Sequence, residues 1–207
     1  MTAQISDSLF YRDERYSIAG LNGDGLFDPA HIGLKTRMIS TACRRGFVCD
    51  YSLRDRRLIL TRLTVGFRPE DLQRAERGDG PVLFGLTPKR DECKCWDCCT
   101  EEDSTYWSDF YYDGLSIPLK YTGGVLIGAD FIDEMYIHMG FHPAYKYSRV
   151  HELLFESGQL VKASDLTSEM AKFREDIANR PLQPTDPTNK REIMEWIDRA
   201  FSLKYTR

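Results

Sequence analysis

Residues 121–155 read YTGGVLIGADFIDEMYIHMGFHPAYKYSRVHELLF, and the fold turns on whether this stretch is helical. From Ala129 onward the apolar residues fall at 131, 132, 135, 136 and 139, which is helical spacing, and Gly140 stands where such a helix would stop. After the aromatic loop FHPAYKY, Ser148 can cap a second helix over RVHELLFESG. Just ahead of both, the run at 125–127 reads as the last strand of a sheet.

Upstream of this stretch the signals are those of strands. Short aromatic and β-branched runs at 8–12 and 15–18 suggest a small hairpin. The four glycines between Gly20 and Gly33 mark a loop. It imitates an EF-hand loop around Gly25, but Gly20 and His31 stand where an acid and a bidentate Glu are required. FVCDYSL, the charged turn RDRR and LILTRLTV make the clearest hairpin. The second of its strands has Leu58, Ile59 and Leu60 in succession, the mark of a strand covered on both faces. Pro69, Glu70 and Asp71 open a short helix that Gly78 ends, and strand-like runs follow at 81–86, 106–112 and 115–121. Downstream, Asp165 or Thr167 starts a helix through Met170, Phe173 and Ile177. A last helix begins at the Asn189–Glu192 capping spacing and carries the apolar stripe Ile193, Trp196, Ile197, Ala200, Phe201.

The architecture expected from this reading is α+β: an antiparallel, partly curled sheet from residues 1–128, covered by about four helices from residues 129–207, in a single domain of 207 residues. With 42% hydrophobic and 12% aromatic residues the chain has the apolar mass for an ordinary core. No basic, apolar leader opens it, and no run reaches the roughly 20 apolar residues of a membrane span, so a cytoplasmic protein is expected. The net charge of −4 argues against a nucleic-acid partner. That sum hides a polarity: residues 35–68 carry nine Lys or Arg against two acids, and residues 69–113 carry five against twelve. Segments so charged neutralise one another if they fold side by side. If they face apart, Arg44, Arg45 and Arg62 offer an anionic ligand a landing surface.

Three groups of residues carry candidate chemistry. Cys93, Cys95, Cys98 and Cys99 place four thiols in seven residues, and the C-x-x-C from Cys95 to Cys98 suits a structural zinc ion. The alternative is an acidic loop with incidental thiols. Redox chemistry fits least, because Asp91, Glu92, Asp97, Glu101, Glu102 and Asp103 would raise the thiol pKa values. Second, a helix from Ala129 would align Asp130, Glu134 and His138 on one face, near His142, His151 and Glu152. An ordinary solvated stripe explains the same spacing, and His142, in a loop before Pro143, is the residue of the group best placed to act. Third, Cys43 beside Arg44 and Arg45 is the candidate nucleophile.

Neither G-x-x-x-x-G-K-[ST], nor G-x-S-x-G, nor G-x-G-x-x-G between a strand and a helix occurs. The expected function is therefore a module that binds or regulates another protein without catalysis. The alternative is a small hydrolase or transferase using Cys43 or the His138, His142 and His151 group. The two part on whether those side chains converge on a pocket.

Overall fold

Three two-residue turns organise the chain in the computed structural model, which describes residues 2–23, 26–90, 110–178, 189–191 and 194. Arg12-Asp13, Asp55-Arg56 and Ser157-Gly158 each hold both central residues at positive φ. That is the type I′ requirement, and its twist matches the right-handed twist of paired strands. The first turn joins β1 (Ser8–Tyr11) to β2 (Glu14–Asn22), and the second joins β3 (Phe47–Arg54) to β4 (Arg57–Val65). Helix α1 (Pro69–Glu76), the two-residue β5 (Lys89–Arg90), β6 (Phe110–Pro118) and β7 (Gly123–Phe131) follow. The third turn joins β8 (Tyr147–Glu156) to β9 (Gln159–Asp165), and α2 (Thr167–Ala178) comes next.

The strands run β3-β1-β2-β7-β8-β9-β4, and β4 pairs with β3 as well as with β9, so the sheet closes into a ring. Closure removes the exposed strand edges that an open sheet would present. β1 lies parallel to β3, and the other neighbours are antiparallel. The seam between β4 and β9 is narrow: Arg57 pairs with Gln159, flanked by hydrogen bonds from Leu58 N to Gly158 O (2.9 Å) and from Leu160 N to Arg56 O (2.7 Å). β6 takes the rest of that edge of β4. Alternate residues of the ring point inward and fill it, among them Leu9, Tyr51, Leu60, Ile127 and Leu153, all fully buried. A second, smaller cluster forms outside, where Met170 of α2 and Tyr145 cover Ala19, Leu126 and Val150.

The expected α+β arrangement with four helices is overturned. The structure is mostly β, with a nine-stranded sheet and two α-helices among the described residues. The helix placed over 149–158 is β8 and its turn into β9. Its inner face packs Leu153 and Phe155 in the ring and its outer face packs Val150 under α2. With both faces covered, apolar residues at 147, 150, 153 and 154 imitate helical spacing. The helix placed from Ala129 is the end of β7, a left-handed Asp130 (φ 55°) and a three-residue 3₁₀ turn at Asp133–Met135. The hairpin β3–β4, α1 and α2 stand where expected. Of the last helix only its start is described: Lys190, Arg191 and Met194 are helical, and the Asn189 side chain accepts a bond from Arg191 N, as a cap does. The remainder of that helix lies outside the described residues. No described helix is long and apolar enough to cross a membrane.

Candidate binding groove

Strand register assembles the site. Ser8 lies beside Asp50 of β3 and Ser17 of β2, and Ser17 lies beside Gly128 of β7. Four short residues thus form one row across four strands, about 14 Å long at the usual strand spacing. Short side chains leave a depression where larger ones would stand. A pocket of about 430 Å³ opens over Ser8, Ser17 and Gly128 of that row, lined also by Ile5, Ser6, Arg15, Tyr16, Ala129, Asp130, Phe131, Tyr147 and Arg149. Gly128 is required here, because a Cβ at that position would fall 2.4 Å from the Tyr147 ring. The Tyr147 hydroxyl hydrogen-bonds Ser17, and burial raises its pKa.

Two arginines flank the row, each held by carboxylates. Arg15 donates from Nε to Ser8 Oγ (3.0 Å) and from Nη2 to Asp50 Oδ1 (2.9 Å), while the Ser8 hydroxyl donates to the same Asp50 oxygen (2.5 Å). Arg149 donates from Nε to Asp130 Oδ2 (2.5 Å) and from Nη1 to Glu14 Oε2 (2.6 Å), so it bridges β8, β7 and β2. The Arg149 hydrogen bonds hold the carboxyls of Glu14 and Asp130 below the ordinary range. The Tyr16 hydroxyl also donates to Glu14 Oε2, and burial foremost raises its pKa.

Apart from Asp130, the residues singled out from sequence lie elsewhere. None of Cys43, His138, His142 and His151 lines this pocket. Cys43 is buried, with its thiol donating to Phe47 O (3.4 Å). Arg44 is exposed, Arg45 is held in an ion pair with Asp7, and Arg62 lies 3.9 Å over the Tyr111 ring. His151 and Glu152 are neighbours in a strand and face opposite sides of it. His151 sits between the rings of Tyr11 and Tyr16, 5.6 Å from each, where burial lowers its pKa against the pull of Asp165. Glu152 is buried on the other face. His142 packs on Phe131 (4.7 Å), whereas His151 is opposite Ile127, four residues or ~13 Å away along β7. Cys93, Cys95, Cys98 and Cys99, the expected zinc ligands, lie outside the described residues. Among the described residues no group of three or more His, Cys, Asp or Glu could hold a metal ion.

His142 has a structural consequence of its own. Both ring nitrogens are buried without a hydrogen-bond partner, between Phe131 and Tyr136. Burial first, and then Lys146, lowers its pKa to about 4. A folded value below the ordinary 6.5 means that the unfolded chain takes up the proton first as the pH falls. Stability tied to His142 is therefore present above 6.5 and lost as the pH falls towards 4. His142→Phe keeps the packing and removes the proton uptake. Its melting temperature should fall less than that of the wild type between neutral pH and about pH 4.5; equal slopes would detach His142 from the acid response.

Arg15, Ser8, Ser17, Tyr147 and Arg149 were not singled out from sequence; Asp130 was, but as part of a helical stripe with Glu134 and His138 that the end of β7 and the 3₁₀ turn replace. Of the pairings that build the site, the β1–β2 hairpin was within reach, with its turn displaced by one residue. No family model, curated protein or solved structure matches this chain.

Proposed function

We propose that this chain is a non-catalytic protein-binding module whose recognition surface is the groove formed by β1, β2, the end of β7 and the start of β8. The observation that carries this reading is the composition of the groove. It combines hydroxyls, paired guanidinium and carboxylate groups and an aromatic wall, and its lining places no cysteine or histidine beside a serine. The exposed Ile5 (49%) and Phe10 (48%), on β1 and the segment leading into it, supply apolar contact beside it. Arg, Tyr and Phe are also the residue types that interfaces favour.

Affinity capture from the source cells, followed by titration with the purified partner, tests the reading. Ser17→Trp fills the floor of the groove and should weaken that complex by more than roughly tenfold, as loss of a central contact does. Phe10→Ser, on the surface beside it, should weaken the complex less and serves as the variant least apt to disturb folding. A partner that binds both variants as well as the wild type would sink the proposal. So would turnover of a substrate that survives Ser17→Trp and is lost in His151→Ala or Cys43→Ser.

A further inference from the structure

We infer that the groove takes an acidic, extended segment of the partner protein, an inference that rests on the protein-binding reading of the same site. The lining of the groove holds two guanidinium groups, Arg15 and Arg149, against one carboxylate, Asp130. Asp50 and Glu14 stand outside the lining, and Glu14 belongs to the strand face opposite that of Ser8 and Ser17. These two carboxylates fix the guanidinium groups in place and leave each with donors to spare. Arg15 spends Nε on Ser8 and Nη2 on Asp50, while Arg149 spends Nε on Asp130 and Nη1 on Glu14. Arg15 Nη1 and Arg149 Nη2 make no described hydrogen bond, so about three of the five N–H donors on each fork remain. An incoming carboxylate can accept two such donors side by side. An incoming cation would instead face both guanidinium groups, and the one carboxylate of the lining already has an oxygen engaged by Arg149.

Positive charge continues past the groove. Ile5, in the lining, donates its N–H to Ala42 O (2.8 Å), and the N–H of Arg44 donates to Gln4 Oε1 (3.2 Å). The exposed Arg44 therefore lies beside the segment that brings Ile5 and Ser6 to the groove. It belongs to residues 35–68, where nine bases stand against two acids. An acidic segment thus finds Arg15 and Arg149 inside the groove and Arg44 at its border. Size sets the length of that segment: a row over Ser8, Ser17 and Gly128 crosses three strands, ~10 Å, and matches about three residues of an extended chain. The ring strands are already paired on both sides along this row, so recognition falls to side chains and hydroxyls. The net charge of −4 opposes a long polyanion such as nucleic acid, whereas a short acidic segment depends on contacts at close range, which salt screens less.

Titration of the isotope-labelled full chain with two tetrapeptides blocked at both ends, Gly-Glu-Glu-Gly and Gly-Lys-Lys-Gly, followed by amide chemical shifts, tests the inference. The glutamate peptide should shift the amides of Ser8, Ser17 and Gly128 and bind more tightly than the lysine peptide. Arg15→Gln, at a side chain 61% exposed, should weaken the glutamate peptide by roughly fivefold, the upper range for one exposed ion pair, and Arg44→Gln should weaken it less. A lysine peptide that binds as well or better, shifts that fall elsewhere, or no shift with either peptide at millimolar concentration overturns the acidic-segment inference. So does a single-stranded oligonucleotide that shifts the same amides at lower concentration than the glutamate peptide. The protein-binding reading is judged separately by the native partner. If that complex is lost in Ser17→Trp while the glutamate peptide fails, the groove stands and the charge of its ligand is wrong. If the glutamate peptide binds while the native complex survives Ser17→Trp, the charge preference of the groove stands and the protein-binding reading fails instead.

Discussion

Gly158→Val should cost on the order of 3–5 kcal/mol and should lower the cooperativity of unfolding as well as its midpoint. Gly158 has φ +81°, which a β-branched residue adopts only under strain. A Cβ there would fall within 2 Å of Leu119 O, a backbone atom that cannot swing aside. Its carbonyl accepts from Leu58 N and its own N–H donates to Tyr121 O (2.7 Å), so the displaced residue breaks the β4–β9 seam and its tie to the β6–β7 connection together. Gly33→Ala supplies the control. Its φ is similar, +79°, and a Cβ there meets nothing within 4 Å, so it should lose only the left-handed penalty of about 1–2 kcal/mol. Urea unfolding of the two variants measures the difference. If Gly158→Val and Gly33→Ala lose the same amount, the seam contributes nothing beyond backbone strain and the ring is held by its other pairings.

That seam shows what the sequence could and could not reveal about the fold. The β3–β4 hairpin was legible because alternation along 47–53 ends at a charged turn and resumes, which is local information. Closure was not legible. It depends on β1 lying parallel to β3 across the 23–46 connection and on Arg57 meeting Gln159 from a hundred residues away. β8 misled for a physical reason: once a ring fills its interior and α2 covers its outside, a strand loses the polar face that distinguishes it from a helix. The two misplaced helices were therefore one error, because reading β8 as helix removed the partner that makes the end of β7 a strand.

The candidate site was legible to a smaller degree. Ser8 and Ser17 come together through a two-residue turn at Arg12-Asp13, one residue earlier than the break at Asp13-Glu14 between the runs at 8–12 and 15–18, so the hairpin was visible but its register was not. Asp130, Arg149 and Glu14 come together only through the β2–β7–β8 register. Histidines and cysteines drew attention in the sequence because their chemistry is distinctive, yet the fold uses His142, His151 and Cys43 as packing groups. The groove is built from serine, glycine and charged residues, whose types are too common to stand out before the strands are paired.

Asp7→Ala should lower stability by about 3 kcal/mol, at the lower end for breaking a buried pair because the Arg45 side chain keeps 29% exposure. For a chain of this length that corresponds to a fall of about 6–12 °C in melting temperature. Asp7 Oδ1 accepts from Arg45 Nη2 (2.5 Å) and from Cys49 N (2.6 Å), and Oδ2 accepts from Arg45 Nη1 (3.0 Å). The pair ties the start of β1 to β3, the one parallel pairing in the ring. Removing the carboxylate leaves the Cys49 N–H unsatisfied and the guanidinium without its counter-charge, with only Phe47 O and the Phe47 ring to hold it. Arg45→Met in the same chain should restore part of the loss, since an apolar stem costs nothing to leave unpaired. The pH dependence gives an independent check. Burial raises the Asp7 carboxyl above its ordinary 3.8, against the pull of Arg45 and the Cys49 amide. A raised folded value means that the native state binds the proton more tightly than the unfolded chain, so this share of stability is full below 3.8 and is lost as the pH rises through the folded value. The gap between wild type and Asp7→Ala should therefore widen on acidification through that window, opposite in sign to the His142 effect. A gap that narrows instead would mean that Arg45, rather than burial, governs the carboxyl.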